Sequence, residues 1–115
     1  METNIRGDAY AITYDEASRQ VIIKGILRLN GLQEYAPVTE LLSAASKAAD
    51  SLIVDIKELE FLNSSGIAML SKFVIEVRNR QTSALTIRGS QAVAWQKKSL
   101  TNLQKLMPAL VLEIL

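Results

Sequence analysis

Apolar positions along the chain change period as it proceeds. Over residues 10–14 they alternate with small or polar residues, and over 21–29 (VIIKGILRL) they form a run rich in β-branched side chains. Both are strand patterns. The polar residues 15–19 between them join the two as an antiparallel hairpin with a longer loop. Gly25, inside the second strand, marks a bulge or a close backbone contact. Asn30-Gly31 then breaks the pattern. Helical spacing takes over across 36–49, with Pro37 in the first turn and Val38, Leu41, Leu42, Ala45 and Ala49 on one stripe. A short apolar strand, 52–55, follows directly and makes a strand–helix–strand unit with parallel strands.

A polar loop with two apolar anchors, Leu59 and Phe61, leads into Asn63-Ser64-Ser65-Gly66. From there Ile67, Leu70, Phe73, Val74 and Val77 recur at helical spacing, and Arg78 and Arg80 stand where a helix end favours cations. Residues 85–87 read as a strand ended by Gly89. Residues 91–106 read as a third helix, with Val93, Leu100, Leu103 and Met107 on one face. Residues 110–114, beyond Pro108, read as an edge strand. The order β-β-α-β-α-β-α-β describes an α/β fold, a mostly parallel central sheet covered by helices through right-handed crossovers. Its length suits one domain over residues 1–115.

Composition narrows the chemistry. No apolar run approaches the roughly 18 residues of a membrane span, and the polar start METNIRGDAY has no signal-peptide core. The expectation is a cytoplasmic protein without a membrane partner. With no Cys and no His, thiol chemistry is excluded, and neither a metal site nor a cofactor is expected. A hydrolase elbow needs Gly-x-Ser-x-Gly and a His, and a Walker-type loop needs Lys where Ile67 stands, so an enzyme is not expected either. The net charge of +1 hides an asymmetry: residues 1–76 carry seven Lys or Arg against eleven acids, and residues 77–112 carry six basics and no acid. Such a skew can mark a nucleic-acid surface. These basics are spread over two helices and a strand end, however, so a solvated face is the favoured reading and no nucleic acid is expected. Lys97-Lys98 is the one cluster. Trp95 beside it either packs at a helix start or joins a contact surface.

The residues with the most to say lie between Asp55 and Gly66. Asn63 or Ser64 can cap the helix that follows, since either side chain can accept a bond from an orphan N–H. Ser65 then lies in the first turn, near the positive end of the helix dipole. Gly66 costs roughly 1 kcal/mol of helix propensity relative to Ala, which points to a close approach. No acid appears in this helix before Glu76, so its N-terminus can accept an anion supplied later, such as a phosphate on Ser65. An ordinary cap and turn is the commoner meaning of Ser-Ser-Gly.

The whole segment Asp55-Ile56-Lys57-Glu58-Leu59-Glu60-Phe61-Leu62-Asn63-Ser64-Ser65-Gly66-Ile67-Ala68-Met69-Leu70 resembles the signature of the STAS family, the anti-sigma-factor-antagonist domains of bacteria. In that signature a strand-final Asp precedes a loop with an aromatic, a pair of hydroxyls, a Gly and a helix. The resemblance implies a STAS-like fold and a protein–protein interaction switch. Its unmodified form would bind a serine kinase that is also an anti-sigma factor. The kinase would phosphorylate Ser65, with Ser64 the neighbouring hydroxyl, and a PP2C-type phosphatase would reset the switch. Asp55, Asn63, Gly66 and Arg28 would form the surroundings of the phosphate. Two acids common in the family are replaced, one by Asn63 and one by Arg28. The alternative is a STAS domain without the switch, acting as a scaffold or small-ligand sensor. A response-regulator receiver also ends a strand on Asp, but it needs an acidic pair after its first strand and a late Lys, and residues 109–115 contain none.

Overall fold

The expected hairpin is present and is widened by one strand. The computed structural model describes residues 3–81 and 84–115. Strand β1 (Asn4–Arg6) pairs antiparallel with β2 (Tyr10–Asp15), which pairs antiparallel with β3 (Gln20–Leu27). The β2–β3 loop is closed by Asp15, whose carboxylate accepts from the Ala17 amide and the Ser18 hydroxyl. Gly25 is both things that its position suggested. Its φ of +94° lies where a side chain is strained, a Cβ there would strike the Ala9 carbonyl, and the ladder shifts register between Gly25 and Ile26.

After a short helix α1 (Gly31–Glu34), α2 (Ala36–Ala48) buries Val38, Leu41, Leu42 and Ala45. Strand β4 (Ser51–Asp55) lies between β3 and β6 (Ala84–Gly89), parallel to both, and β7 (Val111–Ile114) adds parallel to β6. Helix α3 (Ser64–Arg80) connects β4 to β6 by way of β5 (Leu59–Leu62), and α4 (Gln96–Leu106) connects β6 to β7. The path is β1-β2-β3-β4-β6-β7, with β5 pairing with β3.

The steady advance from β3 to β7 puts right-handed crossovers all on one face of the sheet. Burial follows. Ile12, Val21, Val54, Leu85 and Ile87 point into the helix layer and are buried, whereas Thr13, Ile22, Ile53 and Thr86, one residue out of phase, are half-buried. Ile53, an expected core residue in an apolar strand run, therefore faces away from the helices. The core is completed by Met69, Leu70, Phe73, Val74 and Val77 of α3, with Leu100 and Leu103 of α4. Ile67, expected inside, is half-buried.

Three further differences have local causes. The expected loop before Asn63 contains β5, because Leu59 and Leu62 point inward and the backbone finds β3 alongside it. The third long helix begins at Gln96, not at 91, since residues 91–95 form turns held by Val93 N–H to Ser90 O and Gln96 N–H to Val93 O. The second strand ends at Leu27, two residues early. Among the described residues, no helix is long and apolar enough to cross a membrane.

Candidate partner-binding site at the start of helix α3

The junction is built on Asn63. Its backbone N–H donates to the Leu27 carbonyl (3.2 Å), which carries the β3–β5 pairing one step past the strand. Its side-chain Oδ1 accepts from the Gly66 N–H (3.0 Å), so Asn63 caps α3, as the sequence allowed. The same oxygen accepts from the Tyr35 hydroxyl at 2.7 Å, and Nδ2 donates to the Leu29 carbonyl at 2.8 Å. One amide thus ties together the end of β3, the start of α2 and the start of α3. The donor half of that role needs an amide: an aspartate here would face the Leu29 carbonyl with an acceptor.

Tyr35 was not legible beforehand. It is fully buried and precedes α2, in a connection of otherwise exposed residues with Pro37 two positions on. Burial pushes its phenol above the usual 10.0, helped by Tyr10 and opposed by a backbone hydrogen bond with Leu29. It therefore stays protonated and able to donate. Gly66 has a packing explanation. A Cβ would sit 2.7 Å from both Leu62 Cγ and the Tyr35 hydroxyl. The glycine lets α3 settle onto Tyr35; its bare side faces inward, not toward an approaching partner.

What faces outward is the hydroxyl pair. Ser64 is exposed and Ser65 half-buried. The first intrahelical bond of α3 runs from the Ile67 N–H to the Asn63 carbonyl, and the cap takes the Gly66 N–H. The amides of Ser64 and Ser65 are left without an intrahelical acceptor. Below Ser65, Met69, Lys72, Phe73 and Glu76 continue along neighbouring turns of α3. With Leu32, Ala36, Thr39 and Glu40 they line a groove of about 270 Å³ between α3 and the α1–α2 segment.

The other expected site residues are placed as follows. Asp55 ends β4, and its carboxylate is held locally, accepting from the Lys57 amide (3.0 Å) and pairing with the Lys57 ammonium (3.6 Å). It serves the turn between β4 and β5, which Leu59 N–H to Ile56 O closes. Arg28 follows Leu27 at the end of β3, where Leu27 pairs with Leu62. Its guanidinium lies 5.0 Å from the centroid of Phe61, which is 41% exposed. Leu27 points inward, so Arg28 and Phe61 project from the face of the sheet opposite the helices.

Two adjacent residues fasten this segment from the other side. Trp95 donates from Nε1 to the Glu60 carbonyl (3.0 Å), which places it at a helix start, half-buried. Gln96 is fully buried; its Nε2 donates to the Ile56 (2.6 Å) and Leu59 (3.0 Å) carbonyls, and its Oε1 accepts from the Ser90 N–H (2.8 Å).

No protein-family model matches the chain, and no curated protein matches it in sequence. Solved structures do match it in shape. A chain from the crystal structure of the diguanylate cyclase SiaD in complex with its activator SiaC, from Pseudomonas aeruginosa, superposes with a TM-score of 0.75 at 14% identity over 98% of each chain. SiaC itself superposes with a TM-score of 0.72 at 15% identity, over 99% of this chain and 96% of that one. An anti-sigma factor antagonist from Mycobacterium paratuberculosis gives 0.62 at 19% identity, over 92% and 88%. The fold is STAS-like. Within that STAS-like fold, the hydroxyl pair occupies the helix start that follows the β4–β5 turn, and the groove beside α3 opens on the same side of the sheet as all the long helices.

Proposed function

We propose that this chain is a partner-binding regulatory module, a protein–protein interaction switch of the anti-sigma-factor-antagonist kind, set by phosphorylation of Ser65. The observation that carries the reading is the helix start itself. Two hydroxyls stand outward over a rigid, neutral cap, with the amides of Ser64 and Ser65 ahead of the first intrahelical bond. A phosphate there gains from those amides and from the helix dipole. It also adds about −1.5 to −2 charges at the head of the groove that a partner would occupy. The modification is thus tolerated by the chain and rejected by the complex. Partner-binding regulation is in keeping with the fold's neighbours, one of which is an activator in complex with its cyclase and another an anti-sigma factor antagonist.

The partner in this reading is a serine kinase that doubles as an anti-sigma factor, and a PP2C-type phosphatase reverses the mark. No catalysis is assigned to the chain. The test is incubation with the cognate kinase and ATP, read by mass spectrometry. Phosphate on Ser65, absent in Ser65→Ala, supports the switch. Phosphate on Ser64, on Thr82 (which lies outside the described residues), or nowhere defeats it and leaves the scaffold or small-ligand reading.

A further inference from the structure

We propose that β7 is a dimerisation edge, at which a second copy of the chain adds its own β7 in antiparallel pairing about a two-fold axis at Leu112. β7 ends the sheet path, so one of its sides has no strand across it among the described residues. The Leu115 N–H donates to the Gly89 carbonyl, and the Leu115 carbonyl accepts from the Gln91 N–H, both toward the inner side. Backbone groups alternate sides along a strand. Leu112 and Ile114 therefore direct their N–H and C=O groups outward.

Sheet edges are ordinarily blunted by short strands, charges, proline or bulges. The opposite edge, β1, is three residues long and carries Asn4 and Arg6. β7 has none of these protections. Its register runs unbroken from Thr86↔Val111 to Gly89↔Ile114, and its single charge, Glu113, is held by Arg88 at 2.7 Å. Val111 is 50% and Leu115 62% exposed, two of the four large exposed hydrophobics among the described residues. Leu112, Ile114 and Leu106 belong to the core cluster yet are only half-buried. The core is unfinished along this edge.

A second copy fits because the edge complements itself. About an axis at Leu112, the two Leu112 residues exchange backbone hydrogen bonds and Leu110 meets Ile114. Glu113 meets Val111, so no carboxylate faces another. An axis at Glu113 would oppose the two carboxylates, which is disfavoured. The two-fold arrangement uses one apolar edge twice. So short a pairing covers less than about 1,200 Å² in total, which is the size of weak and transient contacts.

Sedimentation equilibrium over a wide concentration series, with amide hydrogen exchange followed by NMR, tests the proposal. The expected result is a reversible monomer–dimer equilibrium in which the Leu112 and Ile114 amides slow as concentration rises. Val111→Glu sets a second carboxylate opposite Glu113 at two symmetric places and weakens the dimer on the order of tenfold. Val111→Lys, opposite the same acid, does not. Trp95 fluorescence and thermal unfolding establish that both variants are folded, and exchange in the unaltered chain decides the matter if either is not. A monomer at every concentration overturns the proposal. So does a dimer whose Leu112 and Ile114 amides stay fast.

Discussion

Two helix starts in this molecule solve the same problem in opposite ways. At α3, the cap is a half-buried amide whose side chain looks inward to Tyr35 and Leu29, and the hydroxyls of the first turn look out. At α4, no side chain caps the helix. Its first residue, Gln96, is sunk completely and spends its amide on the β4–β5 turn and on Ser90. The α4 start acts as a rivet, closed on every side. The α3 start is locked from beneath and open above, the form required of a site that must hold its shape while something is added to it.

The contrast can be broken by mutation, most severely at the rivet. Gln96→Leu leaves two carbonyls and one N–H buried without partners, at about 1–3 kcal/mol for each such group, so a loss of about 3–5 kcal/mol in denaturant unfolding is expected. Gly66→Ala tests whether α3 must lie close to Leu62 and Tyr35. The Cβ forces a shift costing about 1–3 kcal/mol; if the stability instead rises by the helix propensity of alanine, the close packing is not real.

Tyr35→Phe removes one buried hydrogen bond to Asn63 and costs about 1 kcal/mol near neutral pH. It also has a pH signature. The folded chain holds the Tyr35 proton more tightly than the unfolded chain does, so this contribution is whole below pH 10.0 and is lost as pH rises above it. The alkaline fall in stability should be shallower in Tyr35→Phe, and identical slopes for the two proteins would contradict a buried, donating phenol. The smallest effect belongs to the open site. Ser65→Ala makes no cap and fills no cavity, so its unfolding free energy should stay within about 0.5 kcal/mol of the unaltered chain.

The same contrast explains what was legible. α3 and its cap could be read from the chain because a cap lies three residues from the N–H it serves and apolar periodicity marks the face. Tyr35 and Gln96 could not, for their partners lie 28 and 40 residues away. β5 was hidden because Glu60 and Phe61 are both exposed, which spoils the alternation, and because a backbone ladder to β3 leaves no trace in side chains. Ile53 misled for a different reason. An apolar run in a parallel strand implies cover on both faces, but the one-way order of β3, β4, β6 and β7 puts every long helix on the same side. The role of Asn63 was half visible: its cap was expected, while its amide bond to Leu29 needed the fold.

The central claim is that the α3 start accepts a phosphate on Ser65 without rearranging and that the phosphate expels a partner. The most direct measurement is binding of the cognate kinase by calorimetry to the unmodified chain, to Ser65→Ala and to the Ser65-phosphorylated chain, with the phosphosite mapped by mass spectrometry. The account predicts equal affinity for the first two and a loss of about 1–3 kcal/mol for the third. Phosphate mapped elsewhere, or a phosphorylated chain that binds as tightly as the unmodified one, would contradict it.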